Sequence, residues 1–340
     1  MNHIITVDRD LDYRVDVAYS GQTIRDGLLP WRGKLHRLTT GGCAGAPCSP
    51  STWGVANGGN RAPTEVIDRF LDASLGTLQV GPITAAPTAT IDDANMVWVF
   101  FGTGRYYGNL DKTDNNVQRL FGIKDSVLNG LCAQTNMVNC QANDLVDVTN
   151  AVVCLVCTAS TNQVTDPTNR GVTTLNGTGT TSMVGLVQSK DGWRITLPIG
   201  SGINAAERSV VSPTLIGGTV FFPTFVPTND FCASSGNSSL YALFYMTGTA
   251  AAVPVIGTGT SGSNVNITTK IALGVGMASS MSVQIGSQGS GGQGSGGTGG
   301  AGCSGGMTGA IQMSTGAATQ PCTSAGNYYS KFVSWVHQRD

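Results

Sequence analysis

The sequence predicts an all-β, loop-rich protein, and three observations carry that prediction. Only 11% of the 340 residues are charged, while Gly alone contributes 47. Apolar segments are short, rich in Val, Ile, Thr, Phe and Tyr, and parted by turn residues, whereas long runs at the helical period are scarce. Within several segments apolar and polar residues alternate, as they do along a half-buried strand. A succession of such strands suits a sandwich, a barrel or a propeller.

Composition also excludes function classes. A formal net charge of −1 leaves no basic stripe for nucleic acid. No stretch of 18 or more apolar residues is present, so no transmembrane segment is expected. Met1-Asn2-His3-Ile4-Ile5 lacks the basic region and apolar core of a signal peptide. An exported chain of this sequence would carry its signal elsewhere.

The first element is the segment His3–Val7, apolar and β-branched. A second strand follows in which Val15, Val17 and Tyr19 alternate with Asp16 and Ala18. Between the two lies Asp8-Arg9-Asp10-Leu11-Asp12-Tyr13-Arg14-Val15-Asp16, with carboxylates at positions 1, 3, 5 and 9. That is the front of an EF-hand-type calcium loop carried on strand–loop–strand. Ca²⁺ takes six to eight hard oxygen ligands, and alternate side chains plus the carbonyl at position 7, that of Arg14, could supply them. Position 12 is Tyr19 in place of the usual Glu, which leaves Asp16 and water to complete the shell. Position 6 is Tyr13 where Gly is usual; a left-handed backbone there would cost about 1–2 kcal/mol. A solvated acidic turn, its repulsion softened by Arg9 and Arg14, is the alternative.

Trp31–Leu38 reads as a third strand with Trp31, Gly33, Leu35 and Arg37 on one face. Residues 41–62 read as an irregular Cys/Gly/Asn loop. A short helix is predicted over Pro63–Leu75, where Val66, Phe70 and Leu71 recur at i, i+4 and i+5. Met96–Phe101 and Val117–Ile123 are strands; the glycines after the first do not form a phosphate loop, since no G-K-[ST] follows. Residues 158–189 read as a long polar loop. Further strands are expected at Gly192–Leu197, Arg208–Leu215, Gly218–Thr224, Ser239–Tyr245 and Tyr328–Trp335. Residues 285–306, Gly/Ser-rich, read as a flexible insertion in a single region spanning 1–340.

Nine cysteines sit mostly in polar loops, which suits disulfides in an oxidising compartment. The spacing favours local pairs Cys43–Cys48, Cys132–Cys140 and Cys303–Cys322, with Cys154, Cys157 and Cys232 sharing one bond. Cys154-Leu155-Val156-Cys157 is followed by Thr158, which excludes haem attachment, and Cys132/Cys140 is a poor second pair for zinc. The scattered His3, His36 and His337 read as ordinary strand or tail residues.

Four stretches taken in order resemble one family. They are Asp8–Asp16 with Tyr19-Ser20-Gly21; Val99–Tyr106 leading to Val117–Ile123; Gly192–Ile195 with Glu207–Val211; and Pro227–Cys232 with Leu240–Leu243. Together they resemble the C-terminal domain of the PilC/PilY family, type IV pilus assembly factors and tip adhesins. The resemblance implies a modified β-propeller, here its later part, with long Cys-rich and Gly-rich loop insertions. It implies a calcium site at Asp8, Asp10, Asp12, Arg14 (main chain) and Asp16. It further implies no enzymatic activity, a place at the cell surface, pilus tip or outer membrane, and roles in pilus extension, attachment and surface sensing. The implied partners are pilin subunits or minor pilins and a host or abiotic surface.

Two other classes fit parts of the sequence: a calcium-dependent quinoprotein-like propeller dehydrogenase, and a structural extracellular fibre subunit. Neither an adjacent Cys-Cys pair nor an obvious catalytic Asp supports the first. A propeller blade takes about 40–45 residues, so the chain suffices for roughly three or four blades. Val97, Val99, Phe101, Val220 and Phe222 then want apolar cover. The expectation is that a longer parent or a second chain supplies the missing blades; the alternative is that residues 41–62 and 124–189 fold back over the open flank.

Overall fold

The computed structural model describes residues 4–27, 30–40, 49–57, 60–125, 141–158, 163–229, 236–285, 307–320 and 322–323. The first sheet is antiparallel and follows the chain: β1 (Ile4–Val7), β2 (Val17–Ile24), β3 (Arg32–Thr39) and then Thr64–Ile67. Alternation decides its faces. Val7, Val17, Tyr19, Gly33, Leu35 and Arg37 turn inward and are buried. Outward lie Gln22, Lys34, His36 and Glu65, with Lys34 paired to Glu65 and His36 Nε2 at 2.8 Å from Gln22 Oε1.

The second sheet lies at the centre, in the order Leu145–Asp147, Gly192–Thr196, Arg119–Lys124, Val97–Gly102, Thr88–Ile91. All of its pairings are antiparallel except that of Leu145–Asp147 with Gly192–Thr196. Val97–Gly102 and Arg119–Lys124 are buried along their whole length because both of their faces are covered, and apart from the terminal Arg119 and Lys124 they carry no charged residue. Val97, Val99, Phe101, Phe121 and Ile123 pack on Val17, Tyr19 and Leu35 of the first sheet and on Phe70 of the Arg69–Asp72 strand that follows it. Trp98, Phe100, Leu120 and Trp193 pack the other way, on Val220, Phe222 and Leu243. Gly122 faces Trp193 across the ladder, and a Cβ there would run into the indole.

The third sheet runs Thr214–Ile216, Thr219–Val226, Asn237–Phe244, Lys270–Val275. Its far face, with Phe221, Leu240, Ala242 and Leu273, meets Ile311 of a fourth sheet and Met281 and Met313, which flank that sheet's strands. That sheet is built on Ser282–Ile285 and Met307–Gln312, the latter pairing with both Ala318–Thr319 and Cys322–Thr323. Four sheets stacked in chain order through three apolar layers make the architecture a partial, modified β-propeller. A smaller sheet, Val164–Thr165, Val152–Val156, Asn264–Ile267, Thr258–Ser261, is inserted beside it.

Several expectations are corrected. The Pro63–Leu75 helix is absent: Thr64–Ile67 and Arg69–Asp72 are strands, the first pairing with β3 and the second with Gly76–Gln79. β-branched Thr64, Val66 and Ile67 suit the ladder, and tertiary pairing overrides a short helical pattern. Residues 158–189 are not all loop. Met183–Gln188 forms a helix whose N-cap, Ser182, accepts from Gly185 N, and Met183 and Val187 reach the core. Within 208–215 only Thr214–Ile216 is a strand. Arg208 is instead buried, its guanidinium donating to the carbonyls of Ala206, Arg105 and Asp114. Residues 41–62 include a hairpin, Val55–Asn57 with Asn60–Ala62.

The five apolar residues expected to want cover are all buried within the chain. Part of that cover comes from 124–189: Val146, Val148, Val153, Val164, Leu175 and Val187 join the layer around Trp98. Residue 285 of the expected Gly/Ser insertion ends a strand, and residues 286–306 and the Tyr328–Trp335 strand lie outside the described residues. So do Cys43, Cys48, Cys132, Cys140, Cys232 and Cys303, and with them the expected pairs Cys43–Cys48, Cys132–Cys140 and Cys303–Cys322. Cys154 is bonded to Cys157.

Candidate metal centre

The acidic loop is the turn between β1 and β2, closed at its base by the pairing of Val7 with Val17 and by Asp16 N donating to Val7 O at 2.9 Å. Within it the carboxylates organise the backbone. Asp8 accepts from Tyr13 N at 2.8 Å and from Asp12 N at 3.2 Å; Asp16 accepts from Arg9 N at 2.6 Å. These bonds wrap the chain around Asp8, which is 9% exposed. The wrapping requires left-handed backbone at Leu11 (φ 61°) and Tyr13 (φ 68°). Tyr13 therefore adopts the conformation for which its position ordinarily takes Gly.

One carboxylate oxygen from each of Asp8, Asp10 and Asp16 lies within 4.8 Å of the others. The Asp12 carboxylate is not among these three. Asp12 accepts from Arg14 N at 2.9 Å, and its carboxylate is 3.9 Å from Arg14 Nε. Burial raises the Asp16 pKa above its ordinary value; Asp10 and Asp8 push it further, against the Arg9 N–H. The donor set is all oxygen and anionic, which fits a hard divalent cation such as Ca²⁺ and no soft metal. Leu11 and Tyr13 project from the loop, 50% and 79% exposed.

Sequence reasoning missed what holds the loop to the rest of the molecule. Thr40 N donates to Asp16 O at 2.9 Å, and Thr40 Oγ1 donates to Val15 O. Arg9 Nη2 donates at 3.2 Å to Asn95 O, in the turn before Val97–Gly102. Below the loop, Tyr19 Oη donates to Asp125 Oδ2 at 2.8 Å, and Arg37 Nη1 meets Asp125 Oδ1 at 2.7 Å. Arg37 stood on the predicted inward face; a charged residue on an apolar face was the available signal that a partner carboxylate lay opposite. His36 pairs with Gln22, and His3 and His337 lie outside the described residues.

No family model matches the chain. Two curated relatives, each named "Type IV pilus biogenesis factor PilY1 homolog" and both from Xylella fastidiosa, are similar to it. One is 28% identical over 258 residues, covering 74% of this chain and 14% of the relative. The other is 25% identical over 237 residues, covering 69% and 17%. Among solved structures, the crystal structure of the Pseudomonas aeruginosa PilY1 C-terminal domain superposes with a TM-score of 0.56. That match has 17% identity over 95% of this chain and 60% of that one. The chain has a PilY1-like C-terminal domain. It spans 14% and 17% of the length of the two PilY1 homologues. Among the described residues of this PilY1-like domain, no helix is long and apolar enough to cross a membrane.

Proposed function

We propose that the chain is a non-enzymatic part of a type IV pilus biogenesis factor and tip adhesin, acting at the cell surface in pilus extension, attachment and surface sensing. Its partners are pilin or minor pilin subunits and a host or abiotic surface, and a longer parent or second chain supplies further blades. Bound Ca²⁺ would be held by Asp8, Asp10 and Asp16, with the Arg14 carbonyl and, on turning from Arg14, Asp12 as the remaining ligands of the set. The observation that carries this reading is the convergence of three carboxylates on the turn of the β1–β2 hairpin.

The cation's charge would cancel the repulsion among the carboxylates. The protein's own residues carry the consequence inward. Asp16 leads directly into β2, whose Tyr19 is bonded to Asp125 just past a strand of the second sheet, and Arg9 bridges to Asn95 in a turn between two strands of that sheet. Occupancy of the loop therefore biases the junction between the first two sheets and the surface presented there. Fractionation of sheared pili tests the proposal in cells producing either the wild type or an Asp8→Ala/Asp16→Ala variant. Co-fractionation of the wild type with pili, and fewer surface pili with the variant, is expected; equal piliation with both would overturn the calcium role, and absence from the pilus fraction the assignment itself.

A further inference from the structure

The Cys154–Cys157 disulfide sits where the inserted sheet is irregular. Cys154 pairs with Asn266 and Val156 with Val265, a register shift that marks a bulge. Thr158 then donates to Asn264 Oδ1 from both its N, at 2.9 Å, and its Oγ1, at 2.7 Å. Residues 154 to 158 thus descend along the partner strand only from Asn266 to Asn264. The excess length on the Cys side is gathered by the bond from Cys154 to Cys157. A loop closed over a sequence separation of 3 restrains little of an unfolded chain, so whole-fold stability is a poor account of this bond. What it fixes is local register, because a strand that slips by one residue presents the wrong face.

Position adds a second property. Leu155 and Val156, inside the closed loop, are 45% and 57% exposed, while Cys154 is 7% exposed and Cys157 is half-buried. The loop closed by the bond therefore lies at the surface of the inserted sheet, while Val153 beside it and Ile267 of the partner strand reach the layer around Trp98. The hairpin beside it, Thr258–Ser261 with Asn264–Ile267, pairs with this same strand at Val265 and Asn266 and is anchored at its end by Ile267 in the layer around Trp98.

We propose that Cys154–Cys157 is a thiol–disulfide exchange site for dithiols, and that its opening loosens Thr258–Asn266 from the Cys154 strand while Ile267 and the stacked sheets stay in place. One thiolate of the dithiol attacks Sγ of Cys157, the S–S bond breaks, and Cys154 leaves with the electron pair and takes a proton. The second thiol attacks the mixed disulfide, freeing Cys157. The protein gains two electrons and two protons, and the dithiol is oxidised to its disulfide. Residues 154–158 can then extend, and the register against 264–266 is no longer enforced.

The test treats the native chain with millimolar dithiothreitol, reads Cys154 and Cys157 by differential alkylation and mass spectrometry, and follows amide exchange. Both thiols are expected to become labelled without denaturant, with exchange in 258–266 and 154–158 rising ~10-fold or more while Val97–Gly102 stays protected. A Cys154→Ser/Cys157→Ser variant is expected to show the faster exchange from the start and no response of this hairpin to dithiol. Should that variant not fold, the wild-type arm decides alone. Thiols that stay unlabelled until the protein unfolds, or that become labelled with no change in 258–266, would overturn the proposal.

Discussion

Tyr19 and Arg37, both on the first sheet, bond the two oxygens of one carboxylate, Asp125, at the end of a strand of the second. The Arg37 and Asp125 side chains are wholly buried. Burial first, then the neighbouring carboxylate, pushes the Tyr19 phenol well above its ordinary pKa, so it remains a donor. Removing Asp125 leaves a buried guanidinium without its carboxylate, which costs about 3–5 kcal/mol. Asp125→Ala is expected to lose that much in urea unfolding, whereas Tyr19→Phe, deleting one hydrogen bond, should lose about 1–3 kcal/mol. Equal, small losses would show that the junction is not held here.

The Gly122 position tests the central layer. Its missing Cβ is what lets the Trp193 indole lie flat against the strand opposite, with Nε1 donating to Tyr245 O at 2.8 Å. Gly122→Ala should overpack this contact and cost about 1–3 kcal/mol, with a changed tryptophan emission spectrum. An unaltered melting temperature and spectrum would contradict the packing described.

Tyr13 holds a left-handed backbone at φ 68°. Tyr13→Gly removes the steric conflict, worth about 1–2 kcal/mol, less the extra entropy Gly loses on folding. The variant should bind calcium as well as or better than the wild type; a loss of binding would mean that the tyrosine side chain itself supports the loop.

His36 gives the fold an acid sensitivity. Burial holds its pKa below the ordinary 6.5, with Glu65 raising and Lys34 lowering it. As pH falls below 6.5 the unfolded chain takes the proton before the folded one does. The stability associated with neutral His36 is therefore present above pH 6.5 and lost as pH falls through the lower, folded value. Urea unfolding at neutral and mildly acidic pH should show a steeper decline for the wild type than for His36→Gln. Identical slopes would assign the acid sensitivity elsewhere.

The strands around Val97–Gly102 and Arg119–Lys124 were legible because burial on both faces writes a continuous apolar run. β1, the acidic loop and β2 were legible because period two and the carboxylate spacing are local signals. The error over Pro63–Leu75 came from a pattern too short to choose between periods: Val66, Phe70 and Leu71 fit one turn of helix, and they also fit two strands broken at Asp68. The Arg208 segment failed for a different reason. Its β-branched neighbours suit a strand, but the guanidinium is committed to three carbonyls that only the folded chain brings together. Likewise Asp125 is separated by 88 residues from Arg37, and no local pattern announces such a pair. In the loop, sequence spacing grouped Asp8, Asp10, Asp12 and Asp16 alike, whereas the fold turns Asp12 toward Arg14.

Calorimetric titration of Ca²⁺ into the wild type and Asp16→Ala tests the central claim most directly. With no Glu at position 12 and a tyrosine at position 6, the wild type should bind with a Kd of about 10⁻⁵–10⁻³ M, in the extracellular class. Asp16→Ala should give no binding heat while keeping its β-structure by circular dichroism. Equal heats in the two proteins, or none in the wild type, would contradict the account.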